Sequence, residues 1–310
     1  MMDAEHQRWM QIAARQLELG NPGGALEPLR RILAEDPGVA EAHSVMALAL
    51  LDLKRIHAAL HEAGLGVSLA PEDALAHRAL GAVLLAHRKL SLASEHLERA
   101  IDLEPTDPHA RCTLATLRTL QGRRDEAGAL LEKALALDPD DPAILAELGM
   151  HHLAGGAIDE ADRFASEALA LHPEHRDALV LKGHVLLRRG EVEEARQHAV
   201  WALRHGADAV GALELLAAVK ARESAFLGLW WRYNVWMGEL GERRAIYVVL
   251  GSFVLYRVLA LALTDLGQDW LASGLQLVWL AFCAYTWIGP SRFRKALERE
   301  LGQVKLGDEF

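Results

Sequence analysis

A proline recurs every 34 residues along the first 173 residues of the chain. The prolines in this register are Pro37, Pro71, Pro105, Pro139 and Pro173. Each follows an apolar run with helical spacing, and proline ends a helix because it lacks the backbone N–H and clashes with the preceding turn. A fixed period of this length is typical of proteins built from repeated supersecondary units. The sequence therefore predicts an array of such units.

Three further positions of the 34-residue unit are almost restricted to small side chains. When the first unit is counted from His6, positions 8, 20 and 27 carry mainly alanine or glycine, as at Ala47, Ala59 and Ala100. Small residues at a helix contact let two helices approach until the ridges of one enter the grooves of the other. These positions therefore indicate two closely packed antiparallel helices in each unit.

Glycine marks the expected turn between the two helices. It occupies position 15 in four units, as Gly20, Gly122, Gly156 and Gly190. Glycine can adopt the backbone conformation that closes a helix C-terminus. Lys54 and Arg88 replace it in units 2 and 3, which predicts a longer or looser turn there.

This set of positions resembles the tetratricopeptide repeat, which has small residues at positions 8, 20 and 27 and proline at position 32. The resemblance implies an all-α fold, an α-solenoid of six helical hairpins with a capping helix, over residues 1–223. The repeats are expected at residues 6–39, 40–73, 74–107, 108–141, 142–175 and 176–209, and the cap at residues 210–222. Ile32 and Ala207 depart from the pattern in the end repeats, where solenoids are usually atypical.

The resemblance also implies that side chains of the first helices line a concave face. The candidate groove residues are Met10, Ser44, Leu48, Arg78, Ala82, Cys112, Thr116, Met150 and His184. Family members that clamp a peptide's C-terminal carboxylates use several Lys, Arg and Asn side chains there, whereas Arg78 is the one Lys or Arg in this set. A surface of small residues and Met suits an apolar helix or extended segment, so a protein or peptide ligand of that kind is expected. The alternative is that many of these residues simply pack within the array.

Two apolar runs follow the repeats. Residues 245–263 contain one charge, residues 270–288 contain none, and residues 264–269 join them. A 19-residue helix is roughly 28 Å long, close to the roughly 30 Å hydrocarbon core of a bilayer. The sequence thus predicts two transmembrane helices, an extracytoplasmic loop between them and a tail at residues 289–310.

Basic residues flank the outer ends of this pair of runs, whereas the connection at residues 264–269 contains no Lys or Arg. Arg243 and Arg244 precede the first run, and Arg292, Arg294 and Lys295 follow the second. Because cytoplasmic flanks of membrane helices are enriched in Lys and Arg, both termini are expected in the cytoplasm of a bacterial inner membrane. The N-terminal segment also has no apolar stretch of the kind that a secretory signal contains, which supports the same expectation.

Tryptophans cluster around the apolar runs. Membrane-interface anchors are predicted at Trp230, Trp231, Trp236, Trp270 and Trp287. The first three belong to residues 224–244, an amphipathic segment that either lies in the headgroup region or docks on the last repeat. Together with the runs WWRYNVWMGEL and VLYRVLAL, this arrangement resembles a group of bacterial membrane-anchored repeat proteins. That second resemblance supports the topology and adds no activity.

Two further features are candidates for chemistry. Arg257 lies inside the first apolar run, where a charge is costly and a functional role is the default hypothesis. Either its side chain extends outward to Asp265 or Asp269, or it contacts a neighbouring helix or a partner. His57 and His61 share one helix face at a spacing that can chelate zinc, but no further ligand accompanies them. A solvated surface is the favoured interpretation there, and no metal or cofactor is expected.

Charge and motifs limit the classes of function. The residues before Glu242 include 25 basic and 36 acidic side chains, and an acidic domain is a poor partner for nucleic acid. The sequence holds no phosphate-binding loop or nucleophile elbow, so an enzyme is not expected. The predicted function is a membrane-anchored scaffold or adaptor. The alternatives are a homo-oligomeric structural assembly protein and a non-catalytic subunit of a transport or envelope-biogenesis complex.

Overall fold

Every secondary-structure element among the described residues is an α-helix, as the sequence predicts. The structure, a computed structural model, describes residues 4–204, 210–223, 237 and 242–283. Helices α1 to α13 span, in order, Ala4–Glu18, Pro22–Glu35, Ala40–Asp52, Ile56–Leu69, Ala74–Ala86, Leu90–Leu103, Pro108–Leu120, Arg124–Leu137, Pro142–Ala154, Ile158–Leu171, Arg176–Arg189, Val192–Arg204 and Val210–Glu223. Helices α14 and α15 cover Glu242–Asp265 and residues 269–283. Each predicted repeat thus contains two helices, and α13 covers the predicted cap.

The turn inside each repeat has one backbone conformation throughout. Position 15 has a positive φ in all six repeats: Gly20 68°, Lys54 59°, Arg88 61°, Gly122 78°, Gly156 87° and Gly190 88°. The expected longer or looser turn at Lys54 and Arg88 is therefore wrong. The Lys54 N–H donates to the Leu51 carbonyl at 2.9 Å, as the Gly122 N–H donates to the Thr119 carbonyl at 3.0 Å. The hairpin imposes the left-handed conformation on two residues that adopt it only with strain.

The predicted small residues lie at the helix contacts. The position-20 alanines, from Ala25 to Ala195, have no exposed surface. A Cβ added to Gly81 would lie 2.6 Å from Leu97 Cγ, and one added to Gly149 would lie 2.3 Å from Leu181 Cδ2. Because protein interiors are close-packed, one extra methyl group there would overlap a neighbouring side chain. The small residues at these repeat positions therefore set the distance between the paired helices.

Aspartates cap three of the first helices. Asp73, Asp107 and Asp141 each accept a hydrogen bond from a backbone N–H two or three residues further on, at 2.9, 2.8 and 2.7 Å. Such caps satisfy N–H groups that have no partner within the helix. Pro108 and Pro142 occupy the first turns of α7 and α9, where the missing N–H is not needed. Local sequence thus determines where repeats 3, 4 and 5 begin.

The first helices of successive repeats lie closer together than the second helices. Within α1 to α10, each odd-numbered helix contacts the next odd-numbered helix, whereas no even-numbered helix contacts the next even-numbered one. A stack whose members touch on one side and diverge on the other is curved. The concave face is therefore formed by α1, α3, α5, α7 and α9.

The chain divides into two compact units between Lys182 and Gly183, inside α11. The first unit contains α1 to α10 and the start of α11. In the second unit α13 packs against α12. A Cβ added to Gly183 would lie 2.2 Å from Leu215 Cδ2, so the second unit shows the same close helix approach as the first.

Helices α14 and α15 form an antiparallel hairpin within the second unit. Gly267, with φ 71°, lies in the connection, and the Gln268 N–H donates to the Leu263 carbonyl at 2.8 Å. Tyr256 stacks on Trp279 with ring centroids 5.0 Å apart and ring planes 4° from parallel. Among the described residues, no helix combines the length and the apolar character that a membrane crossing requires.

Candidate peptide-binding groove

The concave face of the first unit is the candidate functional site. Of the predicted groove residues, Met10, Ser44 and Cys112 are buried, Leu48, Arg78, Ala82 and His184 are half-buried, and Thr116 and Met150 are exposed. His184 belongs to the second unit. The Ser44 and Thr116 hydroxyls donate to carbonyls of their own helices, at 3.0 and 3.2 Å. Met150, 40% exposed, is the largest apolar side chain of this set that is open to solvent.

Cys112 of α7 and Glu147 of α9 join neighbouring first helices through a side-chain hydrogen bond. Burial raises the pKa of the Cys112 thiol well above its usual range, and the negative charges of Glu147 and Asp141 raise it further. The thiol therefore stays protonated at neutral pH and serves as the donor. A thiol in this state is a poor nucleophile, so Cys112 has a structural role.

The Glu147 carboxyl titrates near neutral pH. The surrounding protein raises its pKa to about 7, the negative charge of Asp177 and Asp141 adds to this rise, and the hydrogen bond from Cys112 opposes it. The Glu147 side chain nevertheless keeps solvent contact. The shift therefore reflects crowding by protein atoms and negative charge on the concave face, and not complete burial.

The helix caps also set the charge of the groove. Arg78 Nε lies 3.1 Å from Asp107 Oδ2, and the two side chains are 21% and 12% exposed. The one Lys or Arg in the predicted groove set is thus paired with a cap. Asp141 Oδ2 lies 3.9 Å from His109 Nδ1. The negative charge of Asp141 is one of the causes that raise the pKa of Glu147.

Asp52, at the end of α3, faces the start of α11. The surrounding protein raises the pKa of the Asp52 carboxyl, and the charges of Lys54, Arg176 and Asp177 also reach it, with the two cations lowering the pKa. These residues belong to repeats 2 and 6. The charges of Arg176 and Asp177 therefore act on a carboxyl that lies four repeats earlier in the sequence.

The predicted groove set omits Glu147, Asp177 and Asp52, three acidic residues of first helices. Glu147 occupies position 6 of its repeat, directly after position 5, which holds predicted groove residues such as Arg78 and Cys112. The other five repeats have no charged residue at that position. One charge in an otherwise uncharged column is a sequence signal that could have identified Glu147.

The histidine pair considered for zinc does not form a cluster of ligands. The ring of His57 packs edge-on against His87 with centroids 5.7 Å apart, and His61 is exposed. Among the described residues, no group of three or more His, Cys, Asp and Glu side chains could hold a metal ion. The expectation that the chain needs no metal or cofactor stays a prediction.

The predicted membrane-interface tryptophans are only partly described. Trp230, Trp231, Trp236 and Trp287 lie outside the described residues, as does most of the predicted juxtamembrane segment. Trp270 lies in the first turn of α15 and is 73% exposed. Its Nε1–H donates to Gln268 Oε1 at 3.2 Å. Its position at a membrane surface stays a prediction.

Arg257 is exposed on α14. It lines a cavity of about 290 Å³ together with Thr264 and Asp269. The cavity lies toward the connection between α14 and α15. Arg257 and one of its two predicted acidic neighbours thus border the same space.

The sequence comparisons identify the repeat family. Two family models, both described as tetratricopeptide repeat, match the chain. One matches residues 84–146 and 118–167, and the other matches residues 11–67 and 161–199. Together they cover more than half of the chain, which therefore belongs to the tetratricopeptide repeat proteins. Such proteins generally mediate protein–protein interactions.

Solved structures show the same fold. A thermophilic TPR protein of Thermus thermophilus is 27% identical over 59% of this chain and 99% of its own, with a TM-score of 0.53. The APC/C hetero-tetramer Cut9–Hcn1 matches at 18% identity over 69% of this chain and 42% of its own, with a TM-score of 0.55. PilW, a widely conserved type IV pilus biogenesis factor, matches at 19% identity over 69% of this chain and 100% of its own, with a TM-score of 0.50. No curated protein gives a significant match.

Proposed function

We propose that this chain is a membrane-anchored, non-catalytic scaffold whose concave face binds a segment of another protein. The observation that carries the proposal is the surface left open between packed first helices. Thr116, Glu147 and Met150 are exposed there, although the helices that carry them are packed on both sides. An extended or helical segment fits such a groove, because it can place successive side chains against successive repeats.

The charge of the groove favours a ligand that combines basic and apolar side chains. Glu147 supplies negative charge, and Asp52 and Asp177 add to it beside the cations Lys54 and Arg176. Arg78 is already paired with Asp107. A peptide carboxylate would be repelled here, and a Lys or Arg side chain would be attracted. Such complementarity contributes mainly to specificity and to the rate of association.

Two matched pools of fluorescent peptides test this ligand class on the full-length protein. The pools have the same length and apolar content, but one carries Lys where the other carries Glu. We expect the Lys pool to bind more tightly, and its affinity to fall by about tenfold or more when Glu147→Lys and Asp177→Lys are combined. Anisotropy titrations measure both effects.

A charge-matched control separates the groove from the net charge of the protein. Glu160 and Glu167 are exposed on α10, a second helix that does not belong to the concave face. The double variant Glu160→Lys and Glu167→Lys should bind the Lys pool like the unmodified protein. Equal binding of both pools, or an equal loss in this control, would contradict the groove as the binding site.

The proposed anchor comprises residues 245–263 and 270–288. Support comes from apolar side chains of α14 and α15 that are between 46% and 68% exposed: Leu250, Phe253, Val254, Leu255, Val258, Leu259, Leu261, Leu277, Val278 and Leu280. Some of these residues are consecutive in the sequence, so their side chains lie on different faces of the helix. A helix that packs on one neighbour has a single apolar stripe instead. A bilayer is the occupant that can cover all sides at once. Residues 284–288 lie outside the described residues.

Membrane extraction and protease protection test the anchor and its orientation. The full-length chain should stay in the pellet after alkaline carbonate extraction, and a chain that ends at Glu223 should not. With both termini in the cytoplasm, protease added outside intact spheroplasts should leave the repeats uncut. Release of the full-length chain by carbonate would refute the anchor, whereas external digestion of the repeats would refute the orientation alone.

Homo-oligomeric assembly through the hairpin is the second candidate. A Cβ added to Gly251 or Gly274 would meet nothing within 4 Å. These small residues are therefore open to contact with the hairpin of a second copy, and small residues favour helix association in membranes. Native mass spectrometry in mild detergent should show a dimer or larger species that Gly251→Leu disrupts. A monomeric unmodified protein would exclude this candidate.

The third candidate is a non-catalytic subunit of a transport or envelope-biogenesis complex. Support comes from Arg257, the one charge in the apolar run of residues 245–263. It is exposed and is a suitable contact for an acidic group of a membrane partner. If this contact exists, Arg257→Leu should release the chain from a larger complex in native gels of solubilised membranes. Unchanged migration of the complex would count against it.

A further inference from the structure

His77 and His96 face each other inside the hairpin of repeat 3. Their Nδ1 atoms are 3.0 Å apart, and their ring centroids are 5.1 Å apart. His77 is only 8% exposed, and His96 is half-buried. A histidine pair therefore forms a side-chain hydrogen bond between α5 and α6.

The other ring nitrogen of His77 determines how the pair holds its protons. His77 Nε2 lies 3.0 Å from the Pro71 carbonyl oxygen, which can only accept a hydrogen bond, so Nε2 carries a proton. In neutral His77 the Nδ1 atom is then an acceptor, and His96 Nδ1–H is the donor. One added proton is tolerated, because His96 can keep its own proton on Nε2 and accept from His77. A second proton places hydrogens on both Nδ1 atoms and ends the hydrogen bond.

Repeat 2 has the same arrangement with a different partner. His43 Nε2 lies 3.0 Å from the Pro37 carbonyl oxygen, and His43 Nδ1 lies 2.7 Å from Glu62 Oε2. His43 and Glu62 occupy the same repeat positions as His77 and His96. A carboxylate accepts a hydrogen bond from neutral or charged histidine, and the bond to charged histidine is the stronger. Acid therefore preserves the contact in repeat 2.

We propose that repeat 3 is an acid-sensitive joint of the first unit, in which double protonation of His77 and His96 separates α5 from α6 while repeat 2 stays closed. The joint lies next to the candidate groove. Arg78 follows His77 directly in α5 and forms the ion pair with Asp107. Loosening of this hairpin would therefore also move a side chain of the concave face.

The charged groups around the pair are those of α6 and of the turn before α5. A cavity of about 680 Å³ beside the pair is lined by His77, Ser91, Ser94, Glu95, His96, Glu98, Arg99 and Asp102. Arg99 pairs with Glu72, and Glu98 pairs with Arg118 of α7. Helices α3 and α4 also pack against α5. Their residues at the repeat positions of His77 and His96 are His43 and Glu62, which are paired with each other.

The surroundings disfavour the second proton. Burial lowers the pKa of His96, the proximity of His77 lowers it further, and Glu95 opposes both effects incompletely. A histidine whose pKa is lowered by folding binds its proton more readily in the unfolded chain. The hairpin therefore keeps its full stability above the ordinary value of 6.5 and loses it progressively as the pH falls below 6.5.

Hydrogen exchange of the full chain at pH 7.5 and 5.5 tests the joint, after correction for the intrinsic exchange rate. Protection of α5 and α6 should fall by up to about tenfold relative to α3 and α4. This ratio is expected when the unfolded chain binds one proton that the folded hairpin does not, over the pH unit below 6.5. His96→Glu rebuilds the repeat 2 pair in repeat 3 and should remove this acid response. Glu62→His builds the histidine pair in repeat 2 and should transfer an acid response to α3 and α4.

Circular dichroism at pH 7.5 shows whether each variant folds. If His96→Glu does not fold, His96→Gln provides the same test, because its amide stays neutral at both pH values. Protection of α5 and α6 that does not change with pH in the unmodified protein would overturn the proposal. So would an unchanged acid response in His96→Glu or His96→Gln.

Discussion

Cys112 and Glu147 lie on the first helices of consecutive repeats and share a hydrogen bond on the concave face. The thiol is held protonated, and the pKa of the Glu147 carboxyl is raised to about 7. The charge of the groove therefore changes in the neutral pH range at one identifiable residue. Glu147 is accordingly the position at which pH and ligand binding can be tested together.

Glu147→Gln should stabilise the protein at high pH. Because the folded pKa of Glu147 lies above its ordinary value of 4.5, ionisation of this group favours the unfolded chain. Stability is thus lost as the pH rises from 4.5 to about 7. Thermal melts should show a small gain for Glu147→Gln at pH 8 and almost none at pH 5. Glu167→Gln on α10 is the control, and an equal gain at both pH values would contradict the assigned shift.

Binding of Lys-containing peptides should strengthen as the pH rises from 6 to 8. Deprotonation of Glu147 adds one negative charge beside the ligand, and one such charge changes an affinity by about threefold to tenfold. Anisotropy titrations at several pH values provide the measurement. The same titrations of Glu147→Gln should lose most of this pH dependence. If the variant keeps it in full, another group controls binding.

Lys54→Gly and Arg88→Gly should each stabilise the repeats. Both residues hold a positive φ, which strains a side chain and suits glycine, so each change should contribute about 0.5–1 kcal/mol. Gly122→Ala should cost about 1 kcal/mol for the same reason. Urea denaturation measures all three changes. Gly64→Ala is the control, since Gly64 lies in α4 without a positive φ and alanine should stabilise the helix there.

Gly149→Ala should destabilise the first unit by about 1–3 kcal/mol, because its Cβ would overlap Leu181 and overpacking is costly. Leu181→Ala should itself cost about 2–5 kcal/mol through the cavity that it leaves. The combined variant should lose less than the sum, since the new methyl group enters that cavity. Denaturation of the four proteins gives the coupling. Strict additivity would show that the two side chains do not compete for the same space.

The sequence by itself determined the 34-residue repeat and its division into two closely packed helices. The prolines, the small residues such as Ala59 and Gly81, and caps such as Asp107 act through local backbone and packing constraints. Such constraints appear in the sequence at a fixed period, so they could be recognised without a structure. The turn at Lys54 shows the limit of this reasoning, because packing of the completed hairpin imposes a backbone conformation that lysine alone does not favour.

Only the tertiary structure decided which charges meet. The charge of Asp177 raises the pKa of Asp52, and the raised pKa of Glu147 depends on atoms from several repeats. The contact between His77 and His96 likewise depends on the spacing and rotation of two packed helices. Electrostatic environment is a function of distance through space. A position in the repeat gives only distance along the chain. The negative charge of the groove and the contact between His77 and His96 could therefore be recognised only in the folded molecule.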